Sequence, residues 1–343
     1  MTGNQDSKGL TVAVTGPTGT FGFGLMPLLE ADPRIDHIVG IARSPFDPAE
    51  HGWSKLTYRQ GDVRNQEQLA EALAGADVVV HLAFIITGES ADPAVNDINI
   101  NGTLNTFIAA AAAGAKRFVF ASTASAIGFD PSTPVGVDED WTPTPIKYFD
   151  YARQKADLES LLVQLDAAYP DVHLYMLRTP GVMGPHLIGH KSSGRYFKRL
   201  LRFIERNRQL PFRIPFPVPR FETQTIHEDD VGSAFLQCIV GAGEPGLYHI
   251  ASNGIITGEE IVEIMGFRPV PLGKDQTFYR AMRKVASTSR LRFVPDFTAV
   301  AEAYSIPLIM DSTKAQRKLD WTPRWHIRDV YKETLAPTSM DAR

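Results

Sequence analysis

Residues 11–29, TVAVTGPTGTFGFGLMPLL, set a short β-rich run against glycines at even spacing and then an apolar pattern of helical period. Val12, Ala13 and Val14 read as a buried strand, and Gly16, Gly19 and Gly22 follow at three-residue steps before Leu25, Leu28 and Leu29. The stretch therefore predicts a strand, a tight turn and a helix that begins near Thr20. Without a Cβ the backbone at such a turn can approach a phosphate closely, and the helix N-terminus offers it unbonded N–H groups and a positive dipole end. The spacing is GxxGxxG rather than GxGxxG, so a glycine turn with no ligand remains the alternative reading of the motif alone.

Outward from this stretch, strand-like runs recur at 12–15, 37–41, 56–59, 78–82, 117–122 and 174–178, with helical patterns such as EQLAEALAGA and NTFIAAAAAGAK between them. That alternation predicts an α/β fold with a Rossmann-type, doubly wound parallel sheet. Ligands in such sheets lie beyond the carboxyl ends of the strands. Arg43, Asp62, His81, Ser122, Thr123 and Arg178 all fall at those ends. After Arg178 the pattern breaks at Pro180, Pro185, Pro211, Pro215, Pro217 and Pro219. TQTIHEDDVGSAFLQCIV and GLYHIAS then read as a return to the main sheet. The expected division is a dinucleotide-binding domain over 9–180 plus 223–252, and a smaller, discontinuous substrate-binding domain over 181–222 plus 253–335.

The 343 residues carry a formal charge of −4, which gives no global footprint for nucleic acid. Cys238 is the one cysteine, so no intrachain disulfide and no cysteine-based zinc site can form. The N-terminal MTGNQDSKG is polar, and no run approaches the ~18 apolar residues of a membrane span. A cytoplasmic protein with a small-molecule substrate is expected.

Tyr151 and Lys155 stand one helical turn apart in YARQKADLESLL, on one helix face. A phenol titrates near pH ~10, too high for efficient acid or base work at neutrality, and a neighbouring ammonium favours its ionised form. Tyrosine with lysine four residues on is thus suited to moving the proton of a secondary alcohol. Upstream, RFVFASTASAIG places Ser122, Thr123 and Ser125 just past a buried strand, where a hydroxyl could donate to a substrate carbonyl oxygen. A solvated turn capped by Ser and Thr would use the same residues.

With these residues in view the chain resembles an extended short-chain dehydrogenase/reductase of the NAD-dependent epimerase/dehydratase family, from about Val12 to Pro323. In order, TGPTGTFG, GDVRN, VVVHLAF, NINGTLN, STASAIG, YARQK, LRTPGVMGP, TIHEDDVGSAF and DSTKAQRKLDWTP are similar to its motifs. The resemblance implies Thr123, Tyr151 and Lys155 as catalytic residues, with Lys155 also on the nicotinamide ribose. It implies a cofactor site of Gly16, Thr18, Gly19, Thr20, Phe21 and Gly22 at the fingerprint, Asp62 with Val63 at the adenine, and Leu82, Ala83 and Phe84 after the fourth strand. Pro180 and Val182 would lie beside the nicotinamide. For the choice of dinucleotide, GIARSP ends the second strand in Arg43 and Ser44, suited to a 2′-phosphate, so NADP is expected ahead of NAD. Arg43 could equally be a solvated charge.

Departures from the family narrow the reaction. Sugar-nucleotide 4,6-dehydratases carry Asp-Glu after the catalytic Thr, whereas Ala124 and Ser125 follow Thr123. Gly181 and Thr223 stand where UDP-sugar 4-epimerases carry a phosphate-binding Asn and Arg, with Arg220 as a candidate substitute. Ser125, Gly181 and Arg220 are the expected substrate-side residues. Between Lys191 and Phe221, bases alternate with Tyr196, Phe197, Phe203, Phe212, Phe216 and Phe221. That mixture suits a lid over an apolar or aromatic substrate, or else an amphipathic packing helix at a homodimer surface. His186 and His190 have no carboxylate neighbour in sequence, and no metal is expected. The main expectation is an NAD(P)-dependent oxidoreductase that interconverts a secondary alcohol and a ketone on a non-nucleotide substrate. Its alternatives are a sugar-nucleotide epimerase with tightly bound NAD and a non-catalytic dinucleotide sensor.

Overall fold

The computed structural model describes residues 9–86, 93–144, 149–187, 194–272 and 306–336, with the side chains at 194–198 and 200 excepted. His190 and Lys191, and the side chains of Tyr196 and Phe197, lie outside that set. The first half alternates β1 (Leu10–Thr15), α1 (Thr20–Ala31), β2 (Ile35–Ala42), β3 (Leu56–Gln60), α2 (Gln66–Leu73) and β4 (Val78–His81). Next α3 (Pro93–Asn96) runs through a π-helical turn, Asp97–Asn101, into α4 (Gly102–Ala112), and β5 (Arg117–Thr123), α5 (Asp150–Ala168) and β6 (His173–Thr179) follow. The second half contains β7 (Gly181–Met183), α6 (Gly194–Arg208), β8 (Pro215–Val218), β9 (Glu222–Thr223), β10 (Thr225–His227), α7 (Glu228–Ile239) and β11 (Gly246–His249). It ends in β12 (Ile256–Thr257), α8 (Gly258–Ile264), β13 (Arg268–Pro271), α9 (Thr313–Lys318) and α10 (Ile327–Thr334).

Seven parallel strands form the central sheet in the order β11-β6-β5-β4-β1-β2-β3. The order reverses at β1, which lies between β2 and β4, so a crevice opens at the carboxyl ends of β1 and β4. Alternate residues of each strand feed opposite cores. Val12, Val14, Val78, Val80, Val119 and Leu177 pack with Leu25, Met26 and Leu29 of α1 and with Val231 and Phe235 of α7. Their neighbours Ala13, Val79, Phe118, Phe120 and Met176 pack with Leu69, Phe107, Leu158 and Leu162 of α2, α4 and α5. Both faces of the strands are buried, which is why they read as continuous apolar runs rather than alternating ones.

The later strands are arranged differently from the expectation. GLYH joins the main sheet as β11 beside β6, but the TIH strand β10 pairs with β7, outside the main sheet. Pro180 separates β6 from β7 and brings no N–H to a ladder, so the chain leaves the sheet there and its next strand seeks another partner. A third core gathers Leu201 and Ile204 of α6, Val218, Ile256, Val262, Phe267 and, from the last helix, Ile327 and Tyr331. Among the described residues no helix is long and apolar enough to cross a membrane.

Helices α1 and α7 cross with their backbones in contact. A Cβ at Gly24 would lie 2.1 Å from the Glu228 carbonyl oxygen, and one at Gly232 would lie 2.1 Å from that of Gly24. Neither neighbour is a side chain that can swing aside. Gly232→Ala is therefore expected to destabilise the protein by about 1–3 kcal/mol through overpacking, read as a lower denaturant midpoint. An unchanged midpoint would mean that the two helices can separate freely.

Candidate active site

The fingerprint turn joins β1 to α1. Gly16 has φ +73°, and a Cβ there would sit 2.9 Å from the backbone of Ala83. A Cβ at Gly22 would sit 2.0 Å from the Pro17 carbonyl oxygen. The fold itself requires both glycines. Gly19 differs: it caps α1 with ordinary extended dihedrals, and a Cβ there would meet only the Gly16 carbonyl oxygen at 3.6 Å. Among the described residues nothing closes that side. No side chain caps α1 and no acidic residue occupies its first turn, so its leading N–H groups form a donor set that fits a pyrophosphate.

At the end of β2, Arg43 and Ser44 are exposed. Their carbonyl oxygens are tied down by Gln60 Nε2 at 3.0 Å and by the Tyr58 hydroxyl, while the Arg43 guanidinium makes no hydrogen bond among the described residues. Asp62 accepts from Arg64 at 2.8 and 3.1 Å, and this pairing holds its carboxyl below the usual range. Val63 is buried against Gly102.

Beyond β4 the segment Leu82–Ile86 is held from the side. Asn99 accepts from Ile85 N at 2.8 Å and donates to Ile85 O at 3.0 Å and to Gln154 Oε1 at 2.8 Å, so the π-helical turn and α5 grip this segment together. Phe84 is thereby set over α5. Its ring meets Tyr151 edge-on at 5.6 Å, and Lys155 Nζ lies 3.6 Å from its centroid. Tyr151 and Lys155, one turn apart, thus converge on one ring. Lys155 Nζ also donates to Ala121 O at 2.7 Å, two residues before Thr123. Thr123 closes β5 and accepts from Ser125 N at 3.2 Å, which leaves its O–H proton to donate elsewhere.

Behind this face lies a buried ionic network. Glu159, one turn beyond Lys155, accepts from Arg178 Nε at 2.9 Å and Nη2 at 2.6 Å and from Ser122 Oγ at 2.5 Å. Arg178 Nη1 is 3.3 Å from His249 Nε2, and His249 Nδ1 is 3.1 Å from the Val137 carbonyl. Burial, with Arg178 beside it, pushes the His249 pKa down to about 3, so the ring is neutral. A neutral ring that donates from Nδ1 to Val137 offers Nε2 as acceptor to Arg178. His81 is likewise neutral, its pKa lowered to about 3 by burial and by the Lys155 charge, and it bridges Thr15 at 2.8 Å and Thr103 at 3.0 Å. Burial lowers the Lys155 pKa to about 7, against the opposing attraction of Glu159.

Three of the polar strand-end residues therefore point inward: His81, Ser122 and Arg178 brace the site from within. Glu159, Asn99 and Gln154 escaped the sequence reading. An arginine on the apolar strand HLYMLRT does call for a buried acid, and Glu159 shares the helix face of Tyr151 and Lys155. Of the expected substrate-side residues, Ser125 adjoins Thr123, and Gly181 is exposed with only Thr225, among the described residues, within reach of a Cβ, at 3.9 Å. Pro180 and Val182 flank it at the start of β7. Arg220 is exposed between β8 and β9, without a hydrogen bond among the described residues. His186 is no lone loop residue: it lies 2.5 Å from Glu228 Oε1 and stacks on Phe23.

The Lys155 shift has a stability consequence of definite sign. Between pH about 7 and its ordinary value of 10.5 the unfolded chain holds a proton on this residue that the folded chain has released. Stability attributable to Lys155 consequently rises with pH across that window. Lys155→Met lacks this term, so its melting temperature relative to the unaltered protein is expected to fall between pH 7 and pH 9. A pH-independent difference would contradict the burial of a titrating lysine.

Over 333 residues the chain is 25% identical to an uncharacterized protein of Mycobacterium tuberculosis, covering 94% of this chain and 82% of that one. It is 38% identical over 112 residues to L-arabinose 1-dehydrogenase (NAD(P)(+)) of Haloferax volcanii, which is 33% of this chain and 40% of the relative. The structure of UDP-glucose 4-epimerase from Thermotoga maritima with UDP-glucose matches with a TM-score of 0.70 at 20% identity, covering 95% of this chain and 97% of that one, and shares the fold. The sequence profile of the NAD dependent epimerase/dehydratase family matches residues 12–250. With its parallel sheet and glycine turn, the chain belongs to this family of the extended short-chain dehydrogenase/reductases.

Proposed function

We propose that this protein moves hydride and proton at a secondary alcohol or ketone, with Tyr151 as the acid or base. The observation that carries the reading is the convergence of Tyr151 and the buried Lys155 on Phe84. A nicotinamide dinucleotide, its pyrophosphate against Gly19 and the N-terminus of α1, would supply the hydride acceptor or donor. In the oxidative direction Tyr151 takes the hydroxyl proton as the carbinol carbon gives up hydride. The Lys155 ammonium lowers the cost of the phenolate, and the Thr123 hydroxyl donates to the same substrate oxygen.

For the fate of the hydride, family membership and the likeness to a UDP-sugar epimerase support a sugar-nucleotide epimerase that keeps its NAD and returns the hydride to the other face. A second reading, net oxidation or reduction of a non-nucleotide, apolar substrate, is favoured by Gly181 and Thr223, which bring no phosphate ligand, and by the exposed Arg43 as a 2′-phosphate partner for NADP. Denaturing the purified protein and analysing the released nucleotide separates the two. Stoichiometric NAD, with sugar-nucleotide epimerisation that consumes none, supports the first, and turnover of added NADPH with a ketone supports the second.

Tyr151→Phe keeps the ring against Phe84 and removes the proton, so turnover is expected to fall by about two orders of magnitude or more with dinucleotide affinity nearly unchanged. Near-normal turnover would remove Tyr151 from the chemistry. On the NADP reading, Arg43→Ala deletes a charge-assisted contact worth about 1.5–3 kcal/mol and weakens NADPH binding roughly ten- to a hundredfold while sparing NADH. Equal effects on both nucleotides would make Arg43 a solvated strand-end charge.

A further inference from the structure

The charge of this chain is unevenly placed. Residues 194–220 contain eight basic side chains and one acidic, in a protein whose formal total is −4. Helix α6 sorts them by face. Leu201 and Ile204 enter the third core, and Arg208 beside them donates to the carbonyls of Leu335 and Ile264. Arg199, Arg202, Phe203 and Arg206, spaced three and four apart, share the opposite, exposed stripe. None of these three arginines has an ion-pair partner among the described residues.

A solvated basic face would be unremarkable but for the apolar groups standing in it. Phe203 is 51% exposed, and its ring lies 5.5 Å from that of the buried Phe267. Phe216 of β8 lies 5.3 Å from the same ring on its other contact and is itself 38% exposed. β13 pairs with β8 in parallel and sets Pro269 opposite Phe216, so the exposed Arg268 and Val270 project from the other side of the ribbon. The α6 stripe and the Phe216 side of β8 therefore meet over Phe267, which sets two exposed phenyl rings next to the row of Arg199, Arg202 and Arg206.

We propose that the face formed by the α6 stripe and Phe216 of β8 seats the protein on an anionic lipid bilayer, with the arginines on lipid phosphates and the phenyl rings at the edge of the acyl chains. Guanidinium forks match phosphate geometry, and aromatic side chains suit the boundary between headgroup and hydrocarbon. A second copy of this chain fits poorly, because a two-fold contact would set arginine against arginine. Nucleic acid would also satisfy the arginines and stack on phenyl rings, but a formal total of −4 is not the charge balance of a nucleic-acid-binding domain.

The test is co-sedimentation of the full chain with phosphatidylcholine vesicles, with and without phosphatidylglycerol. Binding is expected only with the anionic lipid and should weaken as salt is raised. Each arginine near such a surface contributes roughly a fivefold factor in partitioning, so Arg199→Glu with Arg206→Glu should lose about twenty-five-fold or more. Phe203→Ser should lower binding that persists at high salt, and the melting temperatures of the variants separate lost contact from lost fold. Equal binding to neutral vesicles, no binding to either, or full binding by the folded arginine variant would each overturn the proposal. So would capture of a single-stranded oligonucleotide, abolished by the same two substitutions, without vesicle binding.

Discussion

The site depends on one buried ion pair. Glu159 and Arg178 are both almost wholly removed from water, and each is tolerable there only because the other is present. The pair fixes α5 against β6, and the Ser122 hydroxyl on the same carboxylate fixes α5 against β5. Thr123 follows Ser122 on the strand, and Tyr151 and Lys155 precede Glu159 on the helix. Their mutual placement is thus set by groups outside the proposed chemistry. Loss of either partner would leave an uncompensated buried charge, at a cost of about 3–5 kcal/mol.

Lys155 shows how the same burial tunes reactivity. Its ammonium lies against the Phe84 and Phe120 rings and one carbonyl, with Glu159 a turn away as the opposing charge. The glycines divide in a comparable way. Gly16, Gly22, Gly24 and Gly232 are demanded by backbone conformation or by close backbone approach, and Gly19 is not.

Much of this was legible in the sequence, for reasons that can be stated. The β1–α1 turn, the parallel sheet and the Tyr151–Lys155 pair follow from local spacing, since strand period, helical period and the glycine steps are all short-range signals. The inward turn of Ser122 and Arg178 was missed although parity carried it. Ser122 shares a strand face with Phe118 and Phe120, and Arg178 with Leu174 and Met176, and both rows face the core that contains α5. The pairing of β10 with β7 was not legible, because it depends on where the chain goes after Pro180, a long-range matter. Phe84 could be placed by resemblance, but its role as the common contact of Tyr151 and Lys155 needs the bracing by Asn99 and Gln154, which no local pattern encodes.

On the proposed function, the open side of Gly19, at the uncapped start of α1, exists for a dinucleotide. The most direct measurement is calorimetric titration of NAD and NADPH into the protein and into Gly19→Ala, alongside thermal melts of both. A methyl group there meets nothing among the described residues closer than 3.6 Å, so the expected result is a nearly unchanged melting temperature with affinity for the bound nucleotide weakened about tenfold or more. Unaltered affinity in a folded Gly19→Ala protein would contradict the claim and remove the pyrophosphate from this turn.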